Sequence, residues 1–205
     1  MPNYDNCSDA FGTPWNRLFL VISHSDNDHL GGGEAVFRHL DVQQVESGEP
    51  GAIAWARSSR CRGGQQWEWD GVRFEYLAPT QPGRGNNASC VLRVETADGR
   101  AVLLPGDIER SVENRLLGSH RGRLGAEVMV APHHGSRTSS TPRFVRAVAA
   151  DLVLFGVGYR NRFGFPRPAV FPRGNPGHPA VTGRRRDSPD PGLTSPAPGL
   201  RAGPP

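Results

Sequence analysis

The chain has 205 residues and a formal charge of +4, enough for one domain with a true core. Only 36% of it is apolar, while glycine and proline number 26 and 19, so part of the chain is expected to bury nothing. All 24 basic residues are arginine, the better bidentate phosphate ligand; a phosphoester or nucleic-acid substrate is allowed, and so is a plain compositional bias. No run reaches membrane-span length and no signal-peptide pattern opens the chain, so a stand-alone chain is expected in the cytoplasm. Cys7, Cys61 and Cys90 have neither metal-type nor redox-pair spacing, and no disulfide is expected of them.

Residues 1–16 are polar and turn-rich, an irregular segment. Leu18 to Ile22 is a short, partly β-branched apolar run that reads as a buried strand. It runs into His24-Ser25-Asp26-Asn27-Asp28-His29, a glycine cluster, and a helical pattern over Glu34 to Leu40. Val42 to Val45 is a short strand and Pro50 to Gly64 a loop, with Arg57, Arg60 and Arg62 as a small basic patch. Trp67 and Trp69 alternate ahead of Asp70-Gly71, a hairpin signal, and Val72 to Leu77 alternates again. Those tryptophans could stack on bases, but cross-strand packing is the commoner use of aromatic residues in a hairpin.

Ser89 to Glu95 and Ala101 to Leu104 pair around Asp98-Gly99, and the second strand ends in Pro105-Gly106-Asp107. Glu109 to Leu117 is helical, Glu127 to Ala131 is a strand, and Pro132-His133-His134-Gly135-Ser136 follows it. Thr141 to Ala150 is a helix with threonine at the N-cap and proline first, and Leu152 to Val157 is the last strand. From residue 171 to 205 periodicity vanishes and proline accumulates, so this tail is expected to be disordered.

Histidine or aspartate thus stands at the tips of three buried strands. Carboxylates and imidazoles crowded so closely repel or desolvate one another unless a cation neutralises them. His24 with Asp26, and Asp28 with His29, suit two nearby ions better than one closed tetrahedral site. The competing reading is a helix cap at Asp28 beside solvated histidines.

The His24-x-Asp26-x-Asp28-His29 motif resembles the first metal motif of the metallo-β-lactamase superfamily, with Asp26 in place of its second histidine. Leu104-Pro105-Gly106-Asp107 resembles that superfamily's bridging-aspartate motif. Pro132 to Ser136, Asn87 to Arg93, and Gly158 to Gly164 look like the hydrolase-like C-terminal domain of the ComEC family, the inner-membrane channel proteins of natural transformation. Over residues 17–170 the resemblance implies an αββα sandwich, an α/β fold of metallo-β-lactamase type. It also implies two divalent ions, manganese or zinc: His24 and Asp26 on one, Asp28 and His29 on the other. Asp107 would bridge them, and His133 or His134, with His134 favoured, would complete the set.

The implied reaction is metal-dependent phosphodiester hydrolysis of DNA, single-stranded, with Asp28 and Asp107 catalytic. Ser136, Arg137, Thr138, Arg160 and Arg162 are the candidate phosphate ligands. The family domain is expected on the periplasmic side of the inner membrane as part of the DNA-uptake machinery. The opening strands of the superfamily should precede residue 17, so the domain is expected to lack them. The alternatives are another hydrolase of this fold acting on a small ester or phosphoester, and an inactive fragment.

Overall fold

The apolar run after the N-terminal segment forms strand β1, Leu18–Ile22, in a computed structural model that describes residues 18–158, 161–170 and 180–184. Its alternation sorts its side chains. Leu20 and Ile22 face one cluster, with Val45, Ile53, Phe37 and Trp55, while Val21 faces another, with Tyr76, Trp67 and Leu92. The chain returns through helices α1, Asn27–Leu30, and α2, Gly33–His39, to β2, Val42–Ser47, which pairs in parallel with β1. Strand β3, Ser58–Arg60, then pairs in parallel with β2 and completes a three-stranded sheet in the order β1-β2-β3.

β3 corrects the expectation of a loop over 50–64. Its Ser-Ser-Arg sequence carries no apolar alternation, and it joins the sheet through backbone pairing of Val45 with Ser58 and of Ser47 with Arg60. A 3-10 turn at Pro50–Ala52 precedes it.

β4, Gln66–Trp69, and β5, Val72–Ala78, form the expected hairpin. Asp70 and Gly71 both take positive φ, 51° and 74°, as the tight hairpin turn requires. β6, Val91–Glu95, and β7, Ala101–Leu104, continue antiparallel; β8, Val128–Val130, and β9, Leu152–Val157, join in parallel. Between the parallel strands run α3, Arg110–Ser119, and α4, Pro142–Val148, the latter capped by Thr141 Oγ1 accepting from the Phe144 N–H as expected.

Ala180–Arg184, inside the stretch expected to be structureless, adds strand β10, parallel to β9. The Ala-Val-Thr start of that segment is locally strand-compatible, a signal hidden by the prolines around it. The second sheet is therefore seven-stranded, in the order β10-β9-β8-β7-β6-β5-β4. The irregular segment 1–16 and the rest of the tail lie outside the described residues.

Apolar layers hold the sandwich together. Leu77, Val91, Leu103, Ile108, Leu116 and Phe144 pack the large sheet under α3 and α4. Ile22, Val45 and Ile53, with Phe37 and Trp55, pack the small sheet under α2. Tyr76, Cys61 and Cys90 fill the space between the sheets, where the Tyr76 hydroxyl donates to Glu46 at 2.7 Å. Trp67 lies against Phe74 and Tyr76, at 5.2 and 5.1 Å between centroids, so its ring is committed to packing.

Cys61 and Cys90 form a disulfide, against the expectation that the cysteines pair with nothing. Spacing concealed it. The two are 29 positions apart in sequence, but one follows β3 and the other precedes β6, where the sheets face each other. At the same seam a side chain on Gly48 would lie 1.8 Å from the Ala88 carbonyl oxygen, so only glycine lets the two segments approach. No helix among the described residues is long and apolar enough to cross a membrane.

Candidate metal centre

Three strand tips meet at one edge of the sandwich. β1 ends one residue before Ser23-His24, and α1 then lifts Asp28 and His29 above the tip on a single helical turn. That short helix was not legible in the sequence; Asp26 is its N-cap residue by position and makes no capping hydrogen bond. After β7, Gly106 takes φ 60°, and a Cβ there would lie 2.8 Å from Ser89 Cβ, so glycine is what lets Asp107 reach the centre. After β8, His133, His134 and Gly135 are all left-handed, with φ of 49°, 54° and 81°. Two consecutive non-glycine residues in that region are uncommon and cost of order 1–3 kcal/mol each, so the surrounding contacts must hold them there.

The functional nitrogens and oxygens converge. His29 Nε2 is 3.2 Å from Asp107 Oδ1 and 3.2 Å from His134 Nε2. His134 Nε2 is 3.1 Å from Asp28 Oδ2 and 3.4 Å from Asp107 Oδ2. His24 Nε2 is 3.4 Å from Asp26 Oδ2. Two ligands on one tetrahedral ion with bonds near 2.05 Å stand roughly 3.3 Å apart, so these separations are those of coordination-shell edges. Among the described residues two groups of donors emerge, His24–His29–Asp107 and Asp28–His29–His134, which share the one Nε2 of His29. Asp107 turns one oxygen to His29 and the other to His134, the posture of a bridging carboxylate.

The ligand imidazoles are fixed from behind. Ser89 Oγ donates to the Asn86 carbonyl at 2.7 Å and accepts from the Asp107 N–H at 3.0 Å, so His24 Nδ1, 3.3 Å away, is the donor in that contact. The proton on Nδ1 leaves Nε2 with its lone pair toward the centre. His134 is set the same way, its Nδ1–H donating to the Gly156 carbonyl at 2.8 Å. Ser23 Oγ lies 3.0 Å from His29 Nδ1.

His24 is fully buried, and among the described residues its Nε2 makes no hydrogen bond, the Asp26 carboxylate standing 3.4 Å off as an ion-pair neighbour. Such an orphan is costly in an apolar setting and is satisfied by a cation. Electrostatics point the same way. Burial and the neighbouring His29 hold the His24 pKa below its ordinary value. Burial pushes His29 down too, but the hydrogen bond and charge of Asp107 outweigh it and the net shift is upward. Burial pushes Asp107 up, yet the hydrogen bond from His29 and the charges of the three surrounding histidines bring it below the ordinary carboxylate range. The carboxylate is ionised and seeks positive charge, and the donor set of imidazole and carboxylate fits a divalent ion.

The remaining candidates divide. Asp26 reaches His24 alone, and His133 stands farther out, its Nε2 4.0 Å from Asp107 Oδ2 and its Nδ1 3.2 Å from Thr138 Oγ1 and 3.6 Å from Glu109. Of the adjacent pair, His134 lies nearer to Asp107, at 3.4 Å against 4.0 Å. Ser136 Oγ bonds Thr138 Oγ1 at 3.1 Å, so both hydroxyls serve the turn under His133. Arg137 is exposed, Arg162 lies over the Phe163 ring, and Arg160 is outside the described residues. Arg60, from the small basic patch, donates to the Gly48 carbonyl and is structural. Ser23, Ser89 and Gly156 escape a sequence reading because their contribution is contact with a histidine. Only the place of Ser23 beside His24 hinted at it.

A family model described as "Metallo-beta-lactamase superfamily" matches residues 14–156. The chain is 40% identical over 153 residues to Competence protein ComA of Neisseria gonorrhoeae, covering 74% of this chain and 21% of that protein. It is 32% identical over 159 residues to Recombination protein 2 of Haemophilus influenzae, covering 75% of this chain and 19% of the relative. The chain therefore spans about a fifth of the length of these relatives. Among solved structures, the CmlA beta-hydroxylase E377D mutant shares the fold, with a TM-score of 0.54 at 15% identity over 82% of this chain and 43% of that one.

Proposed function

The chain belongs to the metallo-beta-lactamase superfamily, and on that premise we propose that it is a metal-dependent phosphodiester hydrolase acting on single-stranded DNA in the setting of DNA uptake. The observation that carries this reading is the cluster of imidazole and carboxylate donors at the tips of three strands, gathered around the two oxygens of Asp107. Two divalent ions, manganese or zinc, would supply Lewis acidity toward the phosphoryl oxygens and acidify an attacking water. His24, Asp26 and Asp107 would hold the first, and Asp28, His29 and Asp107 the second, with His134 completing the set; the single Nε2 of His29 can serve one ion only.

The residues of the chain supply the rest. Asp28 is exposed at the mouth of the centre, 3.1 Å from His134, placed to orient the attacking water and accept its proton. Asp107 fixes the spacing of the two groups. Ser89 and the Gly156 carbonyl accept from the Nδ1 atoms of His24 and His134 and so leave their Nε2 lone pairs toward the centre, while Ser23 orients His29. Competence relatives favour DNA over a small ester, and the buried Cys61–Cys90 disulfide favours an oxidising compartment over the cytoplasm.

Labelled single-stranded DNA incubated with the protein and manganese is expected to be cleaved, with Asp107→Ala reducing the rate at least about a hundredfold. Cleavage that persists in Asp107→Ala, or small phosphodiesters turned over faster than DNA, would contradict the reading.

A further inference from the structure

A cavity of about 610 Å³ opens beside the metal centre, lined by Asn27, Asp28, His134, Phe163 and Phe165 among others. Its aromatic wall is ordered. The His134 and Phe165 rings lie 6.3 Å apart at 21°, and the Phe165 and Phe163 rings 5.7 Å apart at 19°. A near-parallel series of rings therefore runs from a candidate ligand outward to Phe163, which is 52% exposed. Asn161 braces the turn that presents them, donating to the Phe165 carbonyl at 2.8 Å and accepting from the Phe165 N–H at 2.9 Å. Guanidinium groups attend both phenylalanines, Arg162 at 4.9 Å from the Phe163 centroid and Arg167 at 5.7 Å from that of Phe165.

A large apolar ring left this open, on a braced turn with cations beside it, is poorly explained as core. Aromatic faces flanked by arginine are the usual recognition surface for unpaired bases. We propose that Phe163 and Phe165, with the guanidinium of Arg162, form a stacking platform for a nucleobase of the nucleotide next to the scissile phosphate. The assignment rests on the phosphodiesterase reading and adds a cause for strand preference. A base within a duplex offers no free face to Phe163, whereas a single strand can turn one into the cavity. Because every base has such a face, recognition is tolerant of sequence. Arg162 and Arg167 meet the backbone charge on either side.

The test uses two labelled single strands of equal length and charge, one of thymidines and one abasic, with the wild-type protein, Phe163→Ala and Phe163→Trp. Affinity is read by fluorescence anisotropy and cleavage is read with manganese. Phe163→Ala is expected to weaken the thymidine strand by about 5- to 150-fold and leave the abasic strand unchanged, with Phe163→Trp restoring affinity. Equal effects on the two strands, or no effect, would overturn the platform while wild-type cleavage left the hydrolase reading standing. A wild-type protein that cleaves neither strand would remove the hydrolase reading, and the platform with it.

Discussion

Glu113 has no solvent exposure, yet its carboxylate accepts from the Ser140 N–H at 2.5 Å and the Thr141 N–H at 2.9 Å. Those bonds tie α3 to the turn that leads from His134 into α4. Burial raises the Glu113 pKa above its ordinary value despite the bonds from Thr141 and Ser140. The folded state therefore keeps a proton that the unfolded chain has released. The stability this proton contributes is fully present below about pH 4.5 and is lost as pH rises through the folded value. Glu113→Ala strands two buried donors and is expected to cost about 2–4 kcal/mol in urea unfolding. Glu113→Gln is expected to remove this fall in stability as pH rises above about 4.5. In sequence Glu113 is one more charge on a polar helix, because nothing local reveals that it meets residues 27 and 28 positions away.

At the scale of elements, the small sheet is joined to the large one covalently, through the disulfide between the end of β3 and the start of β6. Closing a loop of 29 residues removes unfolded-chain entropy equivalent to about 3–4 kcal/mol on the chain-entropy model. Cys61→Ser with Cys90→Ser is expected to lower unfolding free energy by about that amount, and a reductant to do the same to the wild type. A change below about 1 kcal/mol would mean that the Glu46–Tyr76 contact and the apolar layer between the sheets already fix their docking. Most elements are legible in the sequence because their patterns are local. Examples are the Asp70-Gly71 turn, the Thr141-Pro142 helix start and the apolar runs of β1 and β9. Strand β3 and helix α1 are not: one is held by its neighbour's backbone and the other is a single turn within a polar loop.

At the scale of the whole molecule, the sandwich brings strand tips from distant parts of the sequence to one edge. The residue types at those tips announce themselves, so the amino-acid order alone picks out His24, Asp26, Asp28, His29, Asp107 and the His133–His134 pair as candidates. What supports them is hidden there. The orientation of His133 and His134 depends on three consecutive left-handed residues, and Ser23, Ser89 and Gly156 take part only through contacts. The aromatic platform depends likewise on how the turn after β9 folds back over His134.

The measurement that bears most directly on the two-ion centre is the metal content of protein reconstituted with manganese or zinc, wild type beside His134→Ala and Asp107→Asn. Close to two ions per chain are expected in the wild type, about one in His134→Ala, and fewer than one in Asp107→Asn, each variant still showing a cooperative melt. A wild-type protein that holds a single ion, or an Asp107→Asn variant that retains two, would contradict a centre built on a bridging aspartate.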